Sequence, residues 1–193
     1  MKKFVTWLNI LFLIVLGGFV FIYIQNEWEF REELKTRPLP EGLHPIVAEK
    51  SEELIRLSEQ QGINIVITDG YRSIEEQNQI YQQGRSDEGS VVTYAKGGQS
   101  YHNFGLAIDF ALALPDGSVS WDMSYDGNGN GKSDWHEVAA IGKELGFEWG
   151  GDWRNFKDYP HLQMTFGLSL AELQEGWRPE DQLEEREFKI FQD

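Results

Sequence analysis

One stretch of this sequence combines a strand pattern with side chains that bind metal ions. From Ser100 to Asp109 the chain is mostly uncharged, and apolar residues alternate with small ones from Leu106 onward. Such alternation is typical of a strand with one face in the core, and it puts Asp109 on the opposite face. His102 lies on the approach to the strand, and Gly105 permits a turn that would bring the two side chains together. The pattern therefore predicts a sheet whose open face carries a carboxylate beside an imidazole.

A second stretch, residues 158–166, repeats the arrangement with another imidazole. Its alternation puts His161 on the polar face of a predicted strand. Two histidines and one aspartate are three ligands of the kind that a catalytic zinc ion takes, with the fourth position left for water. Asp158 is a candidate base for that water. A lone histidine near a strand is more often structural, so the predicted zinc site depends on the full set of His102, Asp109 and His161.

Composition restricts the classes of partner and of chemistry. The 193 residues suffice for a membrane segment and one domain with a hydrophobic core. The sequence has no cysteine, which excludes disulfides, a cysteine nucleophile and thiolate metal ligands. The net charge of −15 repels nucleic acid, which binds to basic patches, and it suits divalent cations. We therefore expect no nucleic-acid partner.

Residues 1–25 have the pattern of a transmembrane anchor. The run from Phe4 to Ile24 is uncharged, and a helix of that length spans roughly 30 Å, the thickness of a bilayer core. Lys2 and Lys3 precede the run and glutamates follow it. The positive-inside rule then keeps the N-terminus in the cytoplasm and exports the rest. The alternative is a cleaved signal peptide, for which the run is long and lacks a clear small-x-small site.

The remaining chain divides into a stalk, one domain and a tail. Residues 26–43 are charged and hold two prolines, residues 44–176 form the predicted domain, and residues 177–193 are a charged, loosely docked tail. The predicted elements of the domain are a helix from Pro45 to Gln61, a strand from Ile63 to Thr68, a helix capped by Ser73 that reaches about Gln83, a surface loop from Arg85 to Gln99, a hairpin turn at residues 115–117, a helix from about Asp134 to Gly146, and a short helix after Ser169.

The segment from Asp126 to Glu137 matches the twelve-residue calcium loop of EF-hands. Side-chain oxygens occupy loop positions 1, 3, 5, 9 and 12, glycine occupies position 6, and position 7 offers a carbonyl. The predicted calcium ligands are Asp126, Asn128, Asn130, Lys132 through its carbonyl, Asp134 and Glu137. A helix follows the loop, but residues 118–121 look extended where an EF-hand has its entering helix. A glycine-rich turn capped by Asp134 is the alternative. We expect a structural site of low affinity, on the order of 10⁻⁴ to 10⁻³ M.

The two metal-binding stretches together resemble a known family. The pattern Ser100-x-His102-x-x-Gly105-x-Ala107-x-Asp109, followed by Asp158-x-x-His161, is similar to the zinc D,D-carboxypeptidases and peptidoglycan endopeptidases typified by VanY. Three further motifs resemble the branch that cleaves L-alanyl-D-glutamate bonds; they are Gly70-Tyr71-Arg72-Ser73, Tyr81-x-x-Gly84-Arg85 and Trp149-Gly150-Gly151-Asp152-Trp153. The carboxypeptidase branch usually carries glutamate where this chain has Asp158, which also favours the endopeptidase branch.

The resemblance implies a fold and roles for the site residues. The fold is a small α+β domain with a mostly antiparallel sheet that carries the zinc site, as in Hedgehog and D-Ala-D-Ala peptidases. The implied zinc ligands are His102, Asp109 and His161. Asp158 would transfer the proton of the attacking water.

Three further residues receive implied supporting roles. Arg72 would hold the oxyanion or a substrate carboxylate, with a surface salt bridge as its alternative. Ser100 and Gln163 would orient the histidines by hydrogen bonds.

The implied function is that of a zinc peptidase in the cell membrane, with its catalytic domain outside and facing the cell wall. Its substrate would be a peptidoglycan stem peptide, cleaved at the L-Ala-γ-D-Glu bond. D-alanyl-D-alanine carboxypeptidase activity is the nearest alternative. A calcium-dependent wall-binding module with an inactive zinc site is the alternative of another class, although the complete ligand set argues against it. No protein partner is implied, and the ligand set would also accept other divalent metals.

Overall fold

The computed structural model of the chain describes residues 2–83, 85–89 and 91–182, without the side chains of residues 2–6 and 8–10. The chain divides into two compact units. The first comprises Met1–Pro38 and Glu175–Trp177, and the second comprises Leu39–Gln174 with the described residues from Arg178 onward.

The first unit is built on one long helix, α1, Lys2–Thr36. Its stretch Leu11–Thr36 is long and apolar enough to cross a membrane, by length and composition. The helix has no break at the predicted end of the anchor and continues into the predicted stalk at residues 26–43. Charged side chains three or four residues apart lie side by side on a helix and can stabilise it. Three such ion pairs lie between residues 27 and 37: Arg31–Glu27 at 3.0 Å, Lys35–Glu32 at 2.7 Å and Arg37–Glu33 at 3.2 Å.

The second unit contains a five-stranded sheet in which every pairing is antiparallel. The strand order is β1-β2-β5-β4, and β3 pairs with β2. The strands are β1 Ile65–Asp69, β2 Ala107–Ala113, β3 Val119–Ser120, β4 Glu148–Trp149 and β5 His161–Gln163. The predicted α+β fold with a mostly antiparallel sheet is confirmed.

The core lies against one face of this sheet. Ile108, Phe110 and Leu162 are fully buried on that face, as the alternation of apolar residues predicts. Trp135 packs on Phe110 with ring centroids 4.8 Å apart. Gly142 lies against Leu162, because a Cβ at Gly142 would stand 3.2 Å from a leucine methyl group. The opposite face is thereby left to carry the polar side chains of the two metal-binding stretches.

Four helices accompany the sheet, and their bounds agree with the predicted ones to within a few residues. They are α2 Pro45–Gln60, α3 Ile74–Gln82, α4 Asp134–Glu144 and α5 Leu170–Glu175. Ser73 and Glu76 form the predicted capping box of α3, in which each side chain bonds the backbone N–H of the other residue. Residues between α3 and His102 form the predicted surface loop, apart from Gly84 and Ser90, which lie outside the described residues.

The predicted tail, residues 177–193, is docked at its beginning. Arg178 and Glu180 belong to the second unit, and the carboxylate of Glu180 lies 3.1 Å from the imidazole Nε2 of His44. The predicted boundary after residue 176 therefore does not end the domain. Residues 183–193 lie outside the described residues.

Candidate metal centre

Three side-chain atoms from distant parts of the chain converge on one point. The distance from Nε2 of His102 to Nδ1 of His161 is 3.1 Å, and Oδ1 of Asp109 lies 3.3 and 3.2 Å from them. Tetrahedral ligands at zinc distances of 2.0–2.1 Å are about 3.3 Å apart. Within the described part of the chain, no other set of three or more histidine, aspartate or glutamate side chains brings its ligand atoms this close together.

Strand pairing and one turn produce this convergence. Asp109 of β2 lies directly opposite His161 of β5 in the antiparallel register, so their side chains share a face. His102 is in a 3₁₀ turn, Tyr101–Phe104, which ends at Gly105 with φ +67°. A side chain at Gly105 would be strained by this φ and would collide with the backbone carbonyl of residue 42. The predicted role of Gly105 as a turn residue thus has a steric basis.

Each ligand has one atom held by the protein and one atom directed at the common point. Nδ1 of His102 donates to the carbonyl of Gly70 at 2.6 Å, and Nε2 of His161 donates to Oε1 of Gln163 at 3.0 Å. These bonds leave unprotonated nitrogens facing the centre, which is the form that binds a metal ion. The residues present therefore fit a metal ion of tetrahedral geometry.

Arg72 holds the third ligand. Its guanidinium donates to Oδ2 of Asp109 and to Oδ2 of Asp69, each at 2.7 Å. It also lies 3.2 Å from Oε1 of Gln77, and its side chain is only 13% exposed. The ion pair is thus a buried one at the metal site and not the surface salt bridge of the sequence-based alternative.

The close packing of His102, Asp109 and His161 shifts the pKa values of Asp109 and His161. Burial alone would raise the pKa of Asp109, but the neighbouring imidazoles of His102 and His161 hold that pKa far below its ordinary value. Burial lowers the pKa of His161, but Asp109 more than compensates and the net pKa is raised. Asp109 is therefore an ionised ligand at neutral pH.

Asp158 borders the same cleft, which has a volume of about 590 Å³. Burial raises the pKa of Asp158, and the negative charge of Asp109 adds to the rise. A carboxyl group with a raised pKa exchanges protons more readily near neutral pH. Gly150 closely approaches the backbone carbonyl of Asp158 in the turn that carries Asp158, because a Cβ at Gly150 would collide with that oxygen.

Several aromatic side chains line the cleft. Trp153 lies against the imidazole of His161, with ring centroids 5.2 Å apart. Tyr94 and Phe156 meet edge to face at 6.0 Å, and both line the cleft. Trp149 is buried and donates its indole N–H to the carbonyl of Tyr159 at 2.8 Å. Trp153 is thus a wall residue of the cleft and Trp149 a core residue.

The two residues predicted to orient the histidines act on different atoms. Gln163 bonds the imidazole of His161, as described above. Ser100 instead accepts a bond from the backbone N–H of His102 at 3.4 Å, and so caps the turn without touching the ring.

Two carboxylates near the candidate metal ligands were not predicted from the sequence. Asp69 bonds Arg72, and Glu148 accepts bonds from Gln163 at 3.1 Å and from Thr165 at 3.0 Å. Asp69 ends β1 just before the Gly70-Tyr71-Arg72-Ser73 motif, and Glu148 directly precedes the Trp149–Trp153 motif. The position of Asp69 and Glu148 next to those motifs could have marked them as site residues. The side chains that they contact, however, depend on strand pairing, which the sequence does not show.

The predicted calcium loop adopts a compact series of turns. Asp126 accepts bonds from the backbone N–H groups of Asn130 and Gly131 at 3.0 and 2.8 Å. Strand β3 and not a helix precedes the loop, in agreement with the extended pattern. Asp134 is 2% exposed, and its Oδ1 is buried without a hydrogen-bond partner. Such an oxygen costs about 1–3 kcal/mol when nothing binds it.

Comparisons with known proteins find relatives among peptidoglycan peptidases. A model of the D-alanyl-D-alanine carboxypeptidase family of M15 peptidases matches residues 93–164. The peptidoglycan L-alanyl-D-glutamate endopeptidase CwlK of Bacillus subtilis (strain 168) is 57% identical over 163 residues, which cover 84% of this chain and 95% of CwlK. The L-alanyl-D-glutamate peptidase of Listeria phage A118 is 34% identical over 114 residues, which cover 59% of this chain and 35% of the phage protein. In a structural comparison, the L-Ala D-Glu endopeptidase ChiX of Serratia marcescens has a TM-score of 0.45 and 27% identity, over 65% of this chain and 82% of ChiX.

The fold and the site define a class, the peptidases in which an antiparallel sheet carries a His–Asp–His metal site. Within this class, the chain belongs to the M15 family of peptidoglycan peptidases, as its likeness to nearly the whole of CwlK shows.

Proposed function

We propose that this chain is a zinc peptidase that hydrolyses the bond between L-alanine and γ-linked D-glutamate in peptidoglycan stem peptides. The observation that carries the proposal is the convergence of His102, Asp109 and His161 in a chain so similar to CwlK. Zinc is the metal of choice because two imidazoles, one carboxylate and an open fourth position are its usual catalytic set.

The bound zinc ion would lower the pKa of a water molecule and polarise the scissile carbonyl. The chain supplies the remaining tasks. Asp158 takes a proton from the attacking water and returns one to the leaving amine, a task for which its raised pKa is suited. Arg72 orients Asp109 through its 2.7 Å contact. A role of Arg72 toward the oxyanion or a substrate carboxylate is part of the proposal.

Digestion of purified cell wall tests the proposed bond. We expect mass spectrometry to find new N-terminal D-glutamate and L-alanine left on the sugar. D-alanyl-D-alanine carboxypeptidase activity, which the matching family description favours, would instead release free D-alanine. Release of D-alanine without new D-glutamate termini would contradict the endopeptidase proposal.

Asp158→Asn distinguishes a peptidase from a module that only binds the cell wall. The variant keeps the size of the side chain but removes its basicity, so hydrolysis should fall by about 10²–10⁴-fold with the zinc content unchanged. A binding module would be indifferent to the change.

The proposal also includes a location in the cell membrane and a second metal ion, calcium. Helix α1 would anchor the protein in the cell membrane with the catalytic unit outside, because its apolar stretch is long enough to span and the substrate of the related CwlK is the wall. The cleaved form, secreted after signal removal, is the alternative. Calcium would bind the loop from Asp126 to Glu137, and the unpartnered oxygen of Asp134 supports this site.

A further inference from the structure

A chain of three side chains leads from the metal site to the protein surface. Nε2 of His161 contacts Oε1 of Gln163 at 3.0 Å, and Nε2 of Gln163 donates to Glu148 at 3.1 Å. Gln163 is 6% exposed, whereas Glu148 is exposed. The pairing of β4 with β5 sets Glu148 directly opposite Gln163, so the sheet register itself brings the two side chains together.

The chemistry of each group fixes the direction of the bonds. An ionised carboxylate can only accept hydrogen bonds, so Glu148 must face the amide NH₂ of Gln163. The amide oxygen then faces the ring of His161, and an amide oxygen can only accept. This orientation of Gln163 favours the proton of His161 on Nε2 and leaves Nδ1 available to a metal ion placed between it and Oδ1 of Asp109, which lies 3.2 Å away.

We propose that Glu148 is a positioning residue that sets the tautomer of the metal ligand His161 through Gln163. The amide group of glutamine has two orientations that differ by exchange of oxygen and NH₂. Without Glu148, Gln163 can turn its NH₂ toward His161, which favours the proton on Nδ1 and removes a metal ligand. Thr165 donates to the other oxygen of Glu148 at 3.0 Å and holds the carboxylate in place. The inference rests on the proposed metal role of the site and not on which bond is cleaved.

Substitutions at Glu148 separate the proposal from a general effect of charge. Glu148→Ala removes the acceptor, and Glu148→Lys replaces it by a donor that demands the reversed amide. Glu148→Gln restores an acceptor without charge. Glu144→Lys, at the exposed end of α4, makes the same charge change as Glu148→Lys without facing Gln163.

Zinc affinity of the full chain in detergent, measured by competition with a chromophoric chelator, is the first readout. Loss of an outer hydrogen-bond partner typically weakens metal binding by about 10–100-fold. We expect Glu148→Ala to fall in that range, Glu148→Lys to bind more weakly still, and both Glu148→Gln and Glu144→Lys to stay within about threefold of the parent. Equal affinity in all four variants would overturn the proposal.

The tautomer of His161 is the second readout, and it needs no metal. Long-range ¹H–¹⁵N spectra of metal-free protein, recorded at alkaline pH where imidazoles are neutral, distinguish a proton on Nε2 from one on Nδ1. Because Oδ1 of Asp109 lies 3.2 Å from Nδ1 and competes with Gln163 for the proton in metal-free protein, we expect a larger fraction of Nε2–H in the parent and in Glu148→Gln than in Glu148→Lys. An unchanged tautomer would refute the inference even if zinc binds. If the tautomer shifts while the parent binds no zinc, the metal proposal fails and the role of Glu148 stands.

Discussion

Asp158 and Arg72 border one cleft, but their surroundings give them different tasks. Arg72 is held by two carboxylates at 2.7 Å, so the position of its guanidinium is fixed. A guanidinium is also permanently charged. Burial raises the pKa of Asp158, which makes its carboxylate a better proton acceptor than an ordinary one. The same cleft thus combines a fixed cation that orients Asp109 with the carboxyl group that we propose as the acid and base of the reaction.

Arg72→Lys tests whether the arginine acts through the metal ligand. Lysine keeps the charge but cannot bond Asp69 and Asp109 with a planar fork. We expect zinc affinity to fall by about tenfold, because Asp109 loses its orienting partner. Chelator competition measures the affinity. An unchanged affinity combined with reduced turnover would instead assign Arg72 to the substrate alone.

At the scale of elements, strand register and two tight turns assemble the site. Pairing of β2 with β5 aligns Asp109 with His161, and the turn before His161 is closed by an approach that only glycine permits at position 150. Asp158, the proposed proton-transfer residue, and His161, a candidate metal ligand, therefore share one short turn.

Gly150→Ala tests this turn. The added Cβ would collide with the carbonyl oxygen of Asp158 and stand 3.2 Å from Cβ of His161. Overpacking of this kind costs about 1–3 kcal/mol, so we expect a lower Tm and a weakened zinc site. Gly42→Ala is the matched control, because its Cβ would meet no atom within 4 Å. Equal thermal stability of the two variants would contradict the steric account.

The calcium loop gives a prediction that depends on pH. Burial raises the pKa of Asp134, and the charges of Asp126 and Glu137 add to the rise. A raised carboxyl pKa contributes stability below its unfolded value, and that contribution is lost as pH rises through the folded value. Added calcium should offset this loss, so we expect it to raise the Tm more at neutral pH than near the ordinary aspartate pKa of 3.8.

Asp134→Asn is the control for the calcium effect, because it removes both the titrating group and one ligand. In that variant the calcium-induced rise in Tm should be small at every pH. A rise as large as in the parent would show that calcium acts elsewhere or through the charge of the whole surface.

The predictable part of the structure was the part encoded in local pattern. Alternation of apolar residues predicted the strands that carry Asp109 and His161, and the spacing of Ser73 and Glu76 predicted a helix start. The partners of the ligands were not predictable, because Glu148 and Asp69 reach the site through strand pairing between distant segments. The continuation of α1 beyond residue 25 was missed because prolines and charges suggested a stalk, whereas the paired charges stabilise a helix.

At the scale of the whole molecule, an acidic catalytic unit follows an apolar helix. The net charge of −15 disfavours adhesion to anionic surfaces, and in the proposed arrangement α1 would supply the attachment near the wall instead. The helix has the length and composition to serve as this attachment, and the division of the chain near residue 38 separates it from the catalytic unit.

Cell fractionation tests the attachment. We expect the full-length chain in the membrane fraction, resistant to salt extraction, with its N-terminus intact by mass spectrometry of the isolated protein. Replacement of residues 1–25 by a cleavable signal peptide should release active enzyme to the medium. A parent protein found in the medium and truncated after the apolar run would instead establish the secreted form.

Metal analysis of the purified full chain tests the central claim most directly, that His102, Asp109 and His161 hold one zinc ion that is required for hydrolysis. We predict one zinc per chain in the parent and in His136→Ala, whose histidine is exposed and outside the site. We predict almost none in His161→Ala, together with loss of wall hydrolysis. Full hydrolysis by a metal-free parent, or zinc retained at full stoichiometry in His161→Ala, would contradict the account.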